Sequence, residues 1–169
     1  MKKQYMLVLF SFLGLIMTSY LLKAQTAEKQ GTVKVTGEVA NPFELKLADM
    51  QQYKQTNVVR KDKDGKDHNY SGVTLAEILQ MAGTTLGKDL KGENLTKFMV
   101  VEAGDGYRVV FALAELDKDF TDRIIILATI VDGKPLPPGD GPFRVIVQDE
   151  KKPARCIKQV TGIKVQFAK

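Results

Sequence analysis

The stretch "IILATIVDGKPLPPGDGPFRVIVQD", residues 125–149, contains the strongest structural signals in the chain. Its apolar start belongs to the run Arg123–Val131, which predicts a central, buried strand, and the alternating "FRVIVQ" predicts a second strand. The prolines and glycines between them stiffen the chain and leave a single arginine, Arg144, at the start of the second strand. The loop is therefore either a rigid wall of a ligand pocket or a sharp turn between two core strands.

Strand signals dominate the rest of the chain. Alternating apolar and polar residues predict further strands at residues 32–39, 43–47, 57–59, 97–103, 107–113 and 155–167. The pair Asp64-Gly65 predicts a hairpin that carries His68 on its surface. The glycine-rich turn at residues 104–106 predicts another hairpin.

Helical signals are few and short. Thr74 is placed to cap a helix that begins at Leu75, Glu77 completes a capping box, and Gly83 is placed to end the helix. Shorter helical segments are predicted at residues 47–53 and 113–120. Because strands and helices do not alternate regularly, the pattern predicts an α+β fold with mixed sheets and two or three short helices.

The N-terminus has the pattern of a secretory signal peptide. Two lysines precede the apolar run Met6–Met17, and a small residue, Ala24, precedes a polar stretch. We therefore expect a signal peptide at residues 1–24, a short polar lead at 25–31, a domain at 32–169, and export to the periplasm. The alternative is an uncleaved membrane anchor, although the apolar run is shorter than the roughly 20 residues of a usual span.

Charge and cysteine content exclude several classes of protein. Removal of residues 1–24 lowers the formal charge from +5 to +2, which argues against a nucleic-acid-binding protein. With one cysteine, Cys156, no intramolecular disulfide can form, and we expect no disulfide-linked partner. One cysteine and one histidine cannot build a zinc cluster or an iron–sulfur site, so no protein-ligated metal is expected.

Five stretches, taken in order, carry a resemblance to a known family. They are "VTGEVANPFELKLADM", "YSGVTLAEIL", "VVEAGDGYRVVFALAEL", "IILATIVDGKPLPPGDGPFRVIVQD" and "KPARCIKQVTGIKV". Together they resemble the oxidoreductase molybdopterin-binding domain, the cofactor domain of the sulfite oxidase and nitrate reductase family. The chain is similar to the short, stand-alone exported members. The resemblance spans about residues 33–165 and implies a compact, β-rich α+β domain with sheets in several layers.

The chain also departs from the pattern of this family. Active relatives carry a molybdenum-ligating cysteine before the helix of the second stretch, but residues 57–70 contain none. Molybdenum in these enzymes uses a soft thiolate ligand. Cys156 lies in another segment, where we predict a half-buried strand cysteine. Tyr70 stands where relatives have tryptophan, and Asp140 lies near the position of a histidine found in some relatives. The resemblance therefore implies a degenerate member without a protein ligand to the metal.

The resemblance also implies a set of cofactor-binding residues around a pocket walled by residues 132–144. The candidates are Arg144, Arg155, Tyr107, Asp140 and Gly141. Arg144 would face a phosphate or the pterin edge, or it pairs with Asp140 or Asp149 beside a tight turn. Arg155 would neutralise a phosphate, or it lies on a solvated edge strand. Tyr107 either lines the pocket or packs on its hairpin.

Two functions remain open at this point. The first is a small redox enzyme that holds a molybdenum cofactor through its dithiolene and polar contacts, with a periplasmic or membrane redox partner. The second is a cofactor-free periplasmic domain that binds a small anion or a protein partner. The missing cysteine in residues 57–70 motivates the second.

Overall fold

The computed structural model describes residues 31–168. The predicted signal peptide, and all but the last residue of the polar lead, lie outside the described residues. Within the described part, no helix is long and apolar enough to cross a bilayer. The strands β1 to β10 are Thr32–Gly37, Phe43–Lys46, Thr56–Lys61, Asp67–Thr74, Lys97–Ala103, Arg108–Ala112, Ile125–Val131, Lys134–Pro135, Arg144–Val147 and Val160–Phe167. The α-helix α1 is Leu75–Met81, and 3-10 helices cover Leu47–Gln52, Gly87–Asp89, Gly92–Thr96, Leu113–Glu115 and Pro153–Arg155.

The first sheet joins the two ends of the described chain. Its strand order is β2-β1-β10-β5-β6, with β1 parallel to β10 and the other neighbours antiparallel. Val35 and Val101 both pair with Ile163, and all three side chains are buried. Because alternate residues point to opposite faces, one face of this sheet supplies the main core and the other faces solvent.

The second sheet is built around β7. β4 pairs with one side of β7, while β8 and β9 pair with successive parts of its other side, all antiparallel. Leu127 packs in the main core, whereas its neighbours Ile126 and Ala128 belong to a smaller cluster with Ile146. A strand buried on both faces has a nearly continuous apolar sequence, as predicted for this segment.

The helix α1 forms as its sequence predicts. The Thr74 side chain caps it by accepting a hydrogen bond from the Glu77 amide at 3.1 Å. Leu75, Ile78 and Leu79 are fully buried in the main core. The chain turns sharply after the helix at Gly83, which has φ of +66°.

The proline-rich loop covers the smaller hydrophobic cluster. Leu136 packs with Ile126 and Ile146, and its amide donates to the Thr129 carbonyl at 3.0 Å. A side chain at Gly141 would place its Cβ 2.9 Å from the Leu136 Cβ, so glycine is needed for this close approach. The loop thus has a packing role in addition to any role at a site.

The strand predicted at residues 155–167 begins only at Val160. Pro153 opens a 3-10 turn instead, since its fixed φ suits the first residue of a helical segment. The prediction that Cys156 is a half-buried strand residue is therefore wrong. Cys156 follows this turn and is 5% exposed.

Candidate functional site

A cleft of about 290 Å³ opens beside Arg144, and we call it the Arg144 cleft. Three separate segments form its walls: the β3–β4 hairpin, the end of the proline-rich loop, and the segment after β9. Its lining residues are Asp62, Lys63, Asp64, His68, Asp140, Arg144, Pro153, Cys156 and Lys158. Arg144 and Asp140 are thus the sequence-predicted site residues that the fold brings together here.

Arg144 is the first residue of β9 and is only 6% exposed. Its Nη1 donates to the Tyr70 hydroxyl at 2.8 Å and to Asp140 Oδ2 at 2.9 Å. The guanidinium also stacks over the Tyr70 ring, 5.2 Å from its centroid. Its Nε is buried and has no hydrogen-bond partner in the described part of the chain. The side chain is therefore held rigidly while one donor is left unsatisfied.

A second buried arginine lies next to Asp62, a residue of the cleft lining. Arg60 is 4% exposed, and its Nη1 donates to the Val147 carbonyl at 2.5 Å. Its nearest carboxylate is Asp62, with 3.9 Å between Nε and Oδ1, and its Nε also finds no hydrogen-bond partner among residues 31–168. Asp62 accepts a 2.5 Å hydrogen bond from the Tyr70 hydroxyl as well. Burial, followed by this bond to Asp62, raises the pKa of Tyr70, so the hydroxyl keeps its proton.

Apart from His68 at the rim, the cations and carboxylates that line the cleft are equal in number. Three cations and three carboxylates line it: Lys63, Arg144 and Lys158 against Asp62, Asp64 and Asp140. Lys158 reaches across to Asp140 with 2.5 Å between Nζ and Oδ1. Arg60 is not a lining residue, but it shares Asp62 with Arg144. Counted with Arg60, the site has four cations against three carboxylates, a surplus of one positive charge that favours an anion.

His68 lies at the rim of the cleft, on the predicted β3–β4 hairpin. Its Nδ1 is 2.6 Å from Asp132 Oδ2, and its Nε2 is 3.0 Å from Asp64 Oδ2. Hydrogen bonds to Asp132 and then to Asp64 raise the pKa of His68 to about 9. The ring is therefore an imidazolium at neutral pH and adds to the positive charge at the rim.

Cys156 contributes its thiol to the wall of the cleft. Its Sγ accepts a hydrogen bond from the Val147 amide at 3.4 Å. Burial raises the pKa of this thiol, which keeps it neutral. Among residues 31–168, no group of three or more histidine, cysteine, aspartate or glutamate side chains is arranged to hold a metal ion.

Arg155 and Tyr107 do not line the Arg144 cleft. Arg155 forms a forked pair with Glu115, at 3.1 and 3.2 Å, and its Nε donates to Glu150 at 2.6 Å. The half-exposed Tyr107 donates its hydroxyl to the Ala154 carbonyl at 3.0 Å. Both side chains instead brace the 3-10 turn at Pro153–Arg155 against its surroundings.

Asp140 and Gly141 are the two predicted site residues that belong to the proline-rich loop. Arg144 pairs with Asp140, while Asp149 binds Arg123 at 3.1 Å. The Gly141 amide donates to the Pro137 carbonyl at 3.1 Å, inside the loop. Asp140 therefore orients the arginine, and the Gly141 amide is occupied within the loop.

Sequence reasoning did not identify Arg60, Asp62, Lys63 or Lys158 as site residues. Arg60, Asp62 and Lys63 lie far before Arg144 in the chain, Lys158 lies on the segment after β9, and no motif connects them. In the sequence, Tyr70 stands out only as a replacement for tryptophan. The pairing of β4 with β7, and of β7 with β9, brings Tyr70 and Arg144 together.

Size alone does not single out the Arg144 cleft. A hollow of about 510 Å³ lies between α1 and the segment after β6. Its charged lining consists of Glu77, Asp117 and Asp119 against Lys54 and Lys118. An acidic surplus suits an anion poorly, and the described buried cations with unsatisfied donors are at the other site.

A comparison with known families identifies the chain. The sequence model of the oxidoreductase molybdopterin binding domain matches residues 22–169. The chain belongs to this family. The Arg144 cleft is therefore a site on a molybdopterin-binding-type domain, and the resemblance seen in the sequence is confirmed.

A solved structure agrees with this fold. The molybdopterin-binding-type domain is similar to the sulfane dehydrogenase SoxCD from Paracoccus pantotrophus, with a TM-score of 0.63 and 18% sequence identity. The match covers 80% of this chain and 38% of the SoxCD chain, so this chain spans well under half the length of that protein. No curated protein sequence matches. The likeness establishes the β-rich α+β fold.

The residues of the Arg144 cleft fit an anionic group of a molybdenum cofactor, but they do not fit its metal centre. Arg144, whose buried Nε has no partner among the described residues, lines the cleft together with Lys63 and Lys158, and these cations fit an anionic group such as a phosphate. The metal centre does not fit. The Cys156 thiol is kept neutral and bonded to β9, and Asp62 and Asp140 are already paired with cations. The domain could thus hold the anionic end of such a ligand without ligating its metal.

Proposed function

We propose that this molybdopterin-binding-type domain binds an anionic ligand in the Arg144 cleft, either the phosphate of a pterin-type cofactor or a related anion. The observation that supports this most strongly is the nine-tenths buried Arg144, whose Nε has no hydrogen-bond partner among residues 31–168. A buried donor without a partner costs about 1–3 kcal/mol, more when it is charged. A bound anion would offset this cost.

The surrounding groups suit a preorganised anion site. Tyr70 and Asp140 hold the Arg144 guanidinium in place before any ligand arrives. The half-exposed Lys158 can move from Asp140 to a ligand, while Lys63 approaches from the hairpin. Because Cys156 remains a neutral thiol, the protein would contribute no ligand to a metal, and the domain would be a degenerate member of its family.

The proposal is tested by comparing two arginine variants. We expect phosphate to raise the melting temperature of the mature wild-type protein and of Arg123→Gln, but not that of Arg144→Gln. Arg123 is a suitable control because it pairs with Glu115 and Asp149 outside the cleft. Sodium chloride at the same ionic strength corrects for general salt effects. An equal phosphate response in all three proteins would contradict the proposal.

The cofactor itself is tested in a host that makes it. We expect the purified protein to contain oxidisable pterin if the ligand is the family's cofactor, and neither pterin nor molybdenum if the ligand is another small anion. A cofactor-free domain that binds a protein partner is the alternative. It is favoured by the fact that Asp62 and Asp140 are already paired with cations. Protein with no pterin and no phosphate response would support that alternative.

We also propose that the domain is exported to the periplasm and that any redox partner is found there or in the membrane. The support is the N-terminal pattern of two lysines, an apolar run and Ala24. N-terminal sequencing of protein from the periplasmic fraction should begin at Gln25. Full-length protein in the membrane fraction would instead support an uncleaved anchor.

A further inference from the structure

His68 binds two carboxylates that come from different turns of the chain. Asp64 belongs to the tip of the β3–β4 hairpin, and Asp132 follows β7. The distances are 3.0 Å from Nε2 to Asp64 Oδ2 and 2.6 Å from Nδ1 to Asp132 Oδ2. Ionised carboxylates only accept hydrogen bonds, so both ring nitrogens must carry a proton to make both contacts. The geometry therefore requires an imidazolium.

Each of the two carboxylates is oriented by the backbone as well. Asp132 Oδ1 accepts a hydrogen bond from the Asn69 amide at 2.9 Å. Asp64 Oδ1 accepts one from the Lys66 amide at 3.0 Å. Each carboxylate thus uses its second oxygen for His68. The imidazolium ties the hairpin tip to the turn after β7.

This tie lies on one side of the Arg144 cleft. His68 and Asp64 line the cleft, and Lys63, the residue before Asp64, lines it too. If His68 loses a proton, one of the two carboxylates loses its hydrogen bond and its counter-charge. The hairpin tip is then attached at one point fewer, and the rim becomes more negative.

We propose that His68 is a positioning residue that holds Lys63 at the mouth of the Arg144 cleft while its ring carries both protons, and that loss of one proton weakens anion binding. This inference rests on the proposed function and adds a residue that controls it. The charged groups around His68 are Asp64 and Asp132, which it binds, its cross-strand partner Arg60, and the residues that line the same cleft, namely Asp62, Lys63, Asp140, Arg144 and Lys158.

His68 is the only histidine in the chain, so a titration of histidine signals reports on this residue alone. The backbone hydrogen bond from Lys66 and then that from His68 lower the pKa of Asp64, while the bond from His68 is the main cause that lowers that of Asp132. Both carboxylates therefore stay ionised above neutral pH. Because the pKa of His68 is raised to about 9, the ring loses its charge near that pH, where both carboxylates are ionised.

The experiment follows three quantities in the mature protein between pH 6 and pH 10. They are the NMR titration of the His68 ring, the affinity for sulfate, and the exchange protection of backbone amides at residues 62–67. Sulfate keeps the same charge over this range, so its own ionisation does not interfere. We expect the ring to titrate near pH 9. Sulfate affinity should fall roughly twofold to fivefold over the same step, as for loss of an exposed charge interaction.

His68→Gln should bind sulfate more weakly at pH 7 and show no step near pH 9. Asp67→Asn is the matched control, because Asp67 is the exposed neighbour of His68, and it should behave as the wild type. If sulfate binds with an affinity that does not follow the His68 titration, the anion site is supported and the positioning role is overturned. If sulfate binds at no pH while the tip amides still follow the titration, the proposed function is overturned and the tie is supported.

Discussion

Arg60 and Arg144 are two buried guanidinium groups that share one carboxylate, Asp62. Arg144 Nη1 is 3.5 Å from Asp62 Oδ2, and Arg60 Nε is 3.9 Å from Oδ1. The Tyr70 hydroxyl joins them, since it donates to Asp62 and accepts from Arg144. Buried polar networks are stable when every member has a partner, and costly when one is removed. At the scale of single residues, the site therefore depends on Tyr70 as well as on the arginines.

We expect Tyr70→Phe to lower the free energy of unfolding by about 1–3 kcal/mol, because it removes a hydrogen-bond partner from both Asp62 and Arg144. The measurement is urea unfolding at pH 7. Tyr107→Phe is the control. Tyr107 is half-exposed and makes one hydroxyl contact, with Ala154, so the loss should be below about 1 kcal/mol. Equal losses in the two variants would show that the Tyr70 network is not stabilising.

Cys156 provides a second prediction at this scale. Its thiol is 5% exposed, and burial raises its pKa. Because the thiolate is the reactive form, we expect the native protein to react very slowly with a disulfide reagent such as DTNB at pH 8. One equivalent should react at once in urea. Rapid reaction of the native protein would mean that the thiol is accessible and ionised, and therefore free to act as a metal ligand.

At the scale of elements, most helices and strands were predicted correctly from the sequence. They are the ones whose local sequence signal agrees with their surroundings in the folded protein. The cap at Thr74 predicted α1 because the bond between its side chain and the Glu77 amide is local. The strand prediction for the segment after Pro153 is wrong at its start. The alternating apolar and polar residues before Val160 do not form a β-ladder with a neighbouring strand. The Val145 amide donates to Ile157, and the Gln159 amide donates to Asp140. These bonds tie the segment to β9 and to the proline-rich loop.

The proline-rich loop supplies the prediction for this scale. Leu136 covers the smaller cluster with Ile126 and Ile146, so Leu136→Ala should cost about 2–4 kcal/mol through the cavity that it leaves. Leu95→Ala, at an exposed position, should change stability by no more than about 0.5 kcal/mol. Thermal and urea unfolding measure both. A small loss at Leu136 would show that the loop does not stabilise the second sheet.

At the scale of the whole molecule, His68 links the tip of the β3–β4 hairpin to the turn after β7. We expect this link to make the free energy of unfolding depend on pH. The pKa of His68 is raised from its ordinary 6.5 to about 9, so its contribution is fully present below pH 6.5 and is lost as the pH rises through 9. The pKa values of Asp64 and Asp132 are lowered, so their contributions are present above the ordinary aspartate range and are lost as the pH falls.

The stability difference between the wild type and His68→Gln should therefore be greatest between roughly pH 5 and pH 6.5 and should shrink on both sides. Urea unfolding at intervals from pH 3 to pH 10 measures it. The exposed Asp67→Asn variant should keep the wild-type profile. A difference that grows steadily up to pH 10 would have the wrong sign for an imidazolium held by two carboxylates.

Local patterns in the chain were enough to predict the fold class, the capped helix, the buried central strand β7 and the family. Each of these depends on apolar periodicity, on capping and turn residues, or on short motifs, which are written within a few neighbouring positions. The composition of the Arg144 cleft could not be predicted in this way. The pairing of β4, β7 and β9 brings Tyr70 to Arg144. The β3–β4 hairpin and the turn at Pro153 bring Lys63 and Lys158 to the same cleft. These side chains come together from separate segments of the chain, and a sequence pattern records spacing along the chain and not that proximity.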